Sequence, residues 1–177
     1  MKYKTINELN HFLFEEAHIA EAGVIPGSFY LILDNVTILP ENSRNRDIRQ
    51  MRANQLHFTI CDGSLLSLVE EGYRVYDANG TLRQQVADRV LTPQEYMEGL
   101  RALCDCTVYS IEEIPASNET AETTETNEKE TEKRETEENY RIYKISIDSE
   151  DHTFLLTIGG RDNLQEWDRF LNKDIDF

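Results

Sequence analysis

Positive charge is scarce in this chain. Its 18 lysines and arginines face 34 acids, a net charge of −16 over 177 residues. A body this acidic repels nucleic acid and anionic head groups over a Debye length of about 8 Å. Neither nucleic acid nor a membrane is therefore expected as a partner, and a protein is. Long apolar runs are missing too, for nothing approaches the roughly 18 residues of a membrane span. The opening "MKYKTINELNHFLFEEAHIAEAG" has two lysines, but glutamates and a histidine break its apolar character, so it does not read as a signal peptide. Cysteine is limited to Cys61, Cys104 and Cys106. An odd count without an export signal reads as reduced thiols in a cytoplasmic protein. The dinucleotide glycine fingerprint, the Walker loop and the Gly-x-Ser-x-Gly elbow are all absent, and no cofactor is expected.

What is present divides the chain in three. Residues 117–139, "SNETAETTETNEKETEKRETEEN", contain no aromatic or large aliphatic residue. Such a stretch has too little apolar area to offset the entropy of ordering it, which predicts an acidic disordered insertion. Residues 1–116 read as a helix, antiparallel strands and a second helix. Residues 140–177 read as strand, strand and helix completing the same domain. Closing a long loop costs only about 0.6 kcal/mol per doubling of its length, so the insertion is tolerable.

Within the first part, Thr5-Ile6-Asn7-Glu8 has the form of a capping box, and Ile6, Leu9 and Leu13 follow at helical spacing, predicting a helix to about Ala17. The stretch "GSFYLILDNVTILP" reads as extended chain broken at Asp34-Asn35. "QLHFTIC" alternates Leu56, Phe58 and Ile60 against His57, Thr59 and Cys61. "SLLSLVE" is a further strand after a turn at Asp62-Gly63. "YRVYD" and "TLRQQV" flank the loop Asp77-Ala78-Asn79-Gly80. Thr92 and Pro93 predict the start of a helix through Leu103, and "CTVYSIEEI" follows as a strand.

In the last part, "YRIYKISID" and "TFLLTIG" read as paired strands. "NLQEWDRFL" reads as a helix capped by Asp162, with Leu164, Trp167 and Leu171 as its apolar stripe. Tyr140 to Asp148, Thr153 to Ile158 and Trp167 in that order resemble the end of a pleckstrin-homology-like domain. The resemblance implies a small bent barrel plugged by a terminal helix that carries a tryptophan. Lipid binding in that family rests on basic residues of a first hairpin; no residue here aligns with it, and none is assigned that role. The expected class is α+β, a mainly antiparallel sheet or small bent barrel with an N-terminal, a mid-chain and a C-terminal capping helix.

Few residues suggest chemistry. Arg44, Arg46, Arg49 and Arg52 form the one dense basic cluster, suited to an anion or partner because guanidinium matches carboxylate and phosphate forks; charge balance against neighbouring acids is the plainer reading. His57 and Cys61 share a strand face, but four strand residues separate them by about 13 Å. Cys104-Asp105-Cys106 lacks the second ligand pair that zinc wants. His11, Glu15 and His18 fall on one helical face without a matching motif elsewhere. Glu70-Glu71 and Glu112-Glu113 sit at strand ends. No catalytic or metal-binding residue is assigned. The expected function is a non-catalytic interaction or scaffolding module. An acidic inhibitor or immunity-type protein covering a basic partner, and an enzyme of unrecognised type, are the alternatives.

Overall fold

The computed structural model describes residues 1–115, 139–149 and 152–172. In chain order the strands are β1 (Tyr3–Ile6), β2 (Phe12–Leu13), β3 (Ala17–Ile25), β4 (Ser28–Asp34), β5 (Val36–Ile38), β6 (Met51–Ala53), β7 (Leu56–Cys61) and β8 (Ser64–Glu71). There follow β9 (Arg74–Tyr76), β10 (Leu82–Gln85), β11 (Arg89–Val90), the helix α1 (Tyr96–Ala102), β12 (Thr107–Pro115), β13 (Arg141–Asp148), β14 (Thr153–Gly160), β15 (Asn163–Trp167) and β16 (Leu171–Asn172). Every ladder is antiparallel.

The pairing closes on itself. β7 and β8 form one long bent strand, and β14 and β15 another. The two run antiparallel for their whole length. Arg161 N–H donates to Cys61 O and Cys61 N–H to Asp162 O, each at 2.9 Å, which carries the ladder across the bend. Beyond them β14 pairs β13, β13 pairs β12, β12 pairs β3, β3 pairs β4, and β4 returns to β7. The result is a ring of six strands. At the bend the strands pack closely: a Cβ on Gly160 would lie 2.3 Å from Ile60 Cγ2 and 3.0 Å from Cys61 O, and one on Gly63 2.5 Å from Ile60 O and 2.7 Å from Phe29 N. Only glycine admits that approach.

Alternation fills the ring. Phe29, Leu31 and Leu33 of β4, Leu56, Phe58 and Ile60 of β7, Tyr143, Ile145 and Ile147 of β13 and Leu156 and Ile158 of β14 are fully buried. A second sheet, ordered β16-β6-β5-β2, continues four of these strands. The chain kinks into it at Glu16, Asn35 and Gln55, with φ of 69°, 63° and 53°. The kinks are tied to one another. Asn35 Nδ2 donates to Glu16 O (3.1 Å), Asn35 N–H to Asn54 Oδ1 (2.9 Å), and Gln55 N–H to Asp34 Oδ1 (2.7 Å). Against this sheet the aromatics Tyr3, Phe12 and Phe170 pack around Trp167 at centroid distances of 5.5–5.7 Å.

The three-helix expectation is overturned. Residues 5–17 form β1, a 3-10 turn at Leu9–His11 and β2, and Asn7 takes a left-handed φ of 56°, so no capping box exists. The C-terminal stretch is β15, not a capping helix: Asn163, Gln165 and Trp167 are fully buried at a period of two while Leu164 is half-buried. Trp167 thus sits on a strand paired with Tyr3. The protein is a mostly antiparallel sheet with one helix among the described residues. That helix is the mid-chain one, but it begins at Tyr96 with Glu95 at its N-cap rather than at Thr92 and Pro93. In the turn ahead of it Thr92 N–H and Oγ1 both donate to the Glu95 carboxylate, at 2.8 and 2.9 Å. Its Leu100 and the following Leu103 are buried with Leu68 and Leu91. The predicted insertion at 117–139 lies, apart from Asn139, outside the described residues.

Candidate functional site

β12 is paired unequally. Against β13 its ladder runs from Thr107 to Pro115; against β3 it has only Thr107 and Val108. The register slips between Val108 and Ser110, so Tyr109 is an extra residue, 63% exposed. Bulges of this kind bend a strand away from its neighbour. Past the bulge, the side of β12 turned from β13 has no ladder partner among the described residues. Facing it is the chain from Asn7 to Glu15, held elsewhere by β2 on β5.

Between the two lies a groove of about 410 Å³. Leu9, Leu13, Tyr109 and Ile111 give it apolar walls over the buried rings of Phe12 and Phe14. Its polar borders are Asn7, Asn10, Ser110, Glu15 and Glu113. Both charged groups are acids, and no lysine or arginine among the described residues borders it.

A hydrogen-bonded network inside the ring fixes the Glu113 end. Asn163 Nδ2 donates to Glu113 Oε2 (2.9 Å) and Asn7 Oδ1 (3.3 Å), and lies 3.4 Å from the Tyr143 hydroxyl. Gln165 Nε2 donates to Asn163 Oδ1 (2.6 Å), and Thr5 Oγ1 to Gln165 Oε1 (2.9 Å). Tyr143 donates to Arg161 O at 2.6 Å, and burial pushes its phenol above the usual range, so it stays neutral. Arg141 forms an ion pair with Glu113. With each member paired, the network is a scaffold. It leaves Glu113 as a hydrogen-bond acceptor and sets no nucleophile beside a base.

The arginines lie elsewhere, on and after the loop between β5 and β6. Side-chain amides and a carboxylate pin that loop. Asn42 Oδ1 accepts from Arg44 N–H, Asn45 Nδ2 donates to Leu39 O and Arg49 O, Asn45 Oδ1 accepts from Asp47 N–H, and Asp47 Oδ1 accepts from Arg49 N–H. Arg44 and Arg46 border a cavity of about 610 Å³ together with Lys2, Tyr3 and Phe170, whereas Arg49 and Arg52 are not on its wall. Arg44 Nε donates to Lys4 O at 3.0 Å. Arg52 is half-buried on β6, its Nε without a partner. None of the four is in an ion pair among the described residues, though Asp47 shares the cavity wall with Arg44 and Arg46.

No family model, curated protein or solved structure matches this chain. Function is therefore argued from geometry alone. The other sequence candidates are dispersed. His11 bonds Glu8 at 3.1 Å, Glu15 borders the groove, and His18 sits on β3, 3.4 Å from Thr107 Oγ1. Burial raises the Cys61 and Cys106 thiols away from the reactive thiolate, and Cys104 is exposed. Glu70 pairs with Arg89 and His152. Of the acidic pairs, Glu113 alone reaches a groove. Sequence reasoning passed over the groove because an unpaired backbone leaves no mark in residue types. The one available signal was Tyr109, an aromatic breaking the alternation of "CTVYSIEEI".

Proposed function

We propose that this chain is a non-catalytic protein-interaction module that takes an extended, basic segment of its partner along β12. The observation that carries this reading is the edge past Tyr109, which has no ladder partner among the described residues and opens on the groove. Unpaired N–H and C=O groups in a row are complemented best by another strand, and adjoining apolar walls select alternate side chains. Charge fixes the sign of the occupant. Glu15 borders the groove together with Glu113, the latter paired with Arg141, no lysine or arginine among the described residues lines it, and the whole chain carries −16. Such a field raises the association rate of a cationic partner more than its final affinity. This is the property an inhibitor of a basic protein would also use.

The test is selection from a random dodecapeptide library on the intact protein, followed by hydrogen exchange on the selected complex. The reading requires basic, alternating peptides that protect the amides of residues 109–114. It also requires binding to weaken in Leu13→Asp, at a half-exposed groove position, and in Glu15→Lys. Selection of acidic peptides, or protection confined to other strands, would defeat it.

A further inference from the structure

We propose that the cavity bordered by Lys2, Arg44 and Arg46 is a second site, one that binds a phosphate ester. The argument begins with charge. Acids outnumber bases 34 to 18, yet three bases border one cavity, and neither arginine is in an ion pair. Lys2 places its ammonium 5.2 Å from the centroid of the Tyr3 ring, and that ammonium is in no ion pair, although the Lys2 backbone N–H donates to Asp168 Oδ1 at 3.1 Å. Three cations against the single carboxylate of Asp47 leave the wall with an excess of positive charge, and a bound dianion relieves the repulsion among them.

Geometry favours phosphate in particular. Arg44 spends only Nε, on Lys4 O, and its terminal nitrogens remain unbonded; Arg46 has no bond at all. Two open guanidinium forks suit the oxygens of one phosphoryl group. Asn42, Asn45 and Asp47 already hold the loop backbone by the side-chain bonds given above, so the ordering that binding requires is confined to the arginine side chains. The one carboxylate on the wall, Asp47, is turned to the loop by accepting Arg49 N–H at 3.1 Å. The remaining wall specifies the ester. Tyr3 and Phe170 meet edge to face at 4.8 Å on the same cavity, a surface for a planar or apolar group. A volume of about 610 Å³ lies within the roughly 300–1,000 Å³ range of small-molecule sites. An acidic peptide would satisfy the charges but not the aromatic wall.

Trp167 supplies the readout, because its ring lies 5.6 Å from Tyr3 and 5.5 Å from Phe170. Phenyl phosphate, inorganic phosphate and hexaglutamate are each titrated into the intact protein at low salt. Indole emission and phosphorus NMR linewidth are followed. Phenyl phosphate should give a saturable change and bind about fivefold tighter than inorganic phosphate, through aromatic contact. Arg46→Ala, at an exposed side chain with no bond to lose, should weaken it about tenfold or more. Lys2→Ala should weaken it as well. Arg49→Ala, off the wall, should leave it within about twofold. No saturable response, an unchanged constant in Arg46→Ala, or tighter binding of hexaglutamate than of phenyl phosphate would overturn the proposal; the last would make this an acidic-peptide site.

Discussion

Trp167 is where the six-strand ring and the second sheet share one core. It is fully buried, with Tyr3, Phe12 and Phe170 around it. Trp167→Ala should cost about 3–5 kcal/mol, the upper range for core truncations, read as a fall in the urea midpoint without a change in slope. Tyr143 tests the polar interior instead. Its folded pKa is raised by burial. The unfolded chain therefore releases this proton first as pH climbs. The stabilisation is complete below the unfolded tyrosine value, about 10, and is lost as pH rises through the higher folded value. Tyr143→Phe should cost about 0.5–1.5 kcal/mol at neutral pH for the lost bond to Arg161 O. Its stability should also fall less steeply than the parent's between neutral pH and the alkaline limit. Equal alkaline slopes in urea titrations would remove the tyrosine from that account.

Elements differ in how openly the sequence declares them. β4, β7, β13 and β14 were legible because their apolar residues alternate and every second one enters the ring. β15 was not, because the ring is lined there by amides. Asn163 and Gln165 point inward and Leu164 outward, inverting the usual pattern and leaving 164, 167 and 171 at a misleading helical spacing. Residues 5–17 failed for a related reason. Ile6 and Leu13, which suggested a helical stripe, are 52% and 43% exposed, while the buried Phe12 and Phe14 alternate as strand residues do. The mid-chain helix was readable because its start signal is local. Thr92→Ala should cost about 0.5 kcal/mol, the low end for one exposed hydrogen bond, by removing one of the two bonds at Glu95, measured by thermal unfolding. The β9–β10 hairpin behaves differently. All seven of its strand residues are exposed, and its Arg83–Asp77 ion pair lies within the arm. A two-stranded arm with no core draws its order from the body. Replacing residues 74–85 by a two-residue turn should change the unfolding midpoint little. A loss beyond about 2 kcal/mol, outside the range of surface changes, would reveal a buried contact for the arm.

At the scale of the whole molecule, the order of strands in space departs from their order in sequence, and that decides how the chain is held together. β13 lies between β12 and β14, and β14 lies between β13 and β8. β15 lies between β7 and β1. The strands after residue 138 are therefore threaded among those before residue 116, and neither set can complete the ring. Residues 1–116 alone would expose Phe58, Ile60, Leu68 and Val108 along open edges. Residues 138–177 alone would offer the β13–β14 hairpin and the short strands β15 and β16, too little for independent stability. The same separation makes the ring slow to close, since its contacts are dominated by long-range pairs and loop entropy is lost before they form. Expressed as two separate chains, 1–116 and 138–177 should each lack a cooperative unfolding transition. Mixed, they should form a one-to-one complex with buried Trp167 emission. That complex should unfold in a single transition whose midpoint rises with concentration, because association and folding are then one event. A cooperative transition in either piece by itself would mean that the ring is divisible, and the threaded order of β12 to β15 would no longer account for its stability.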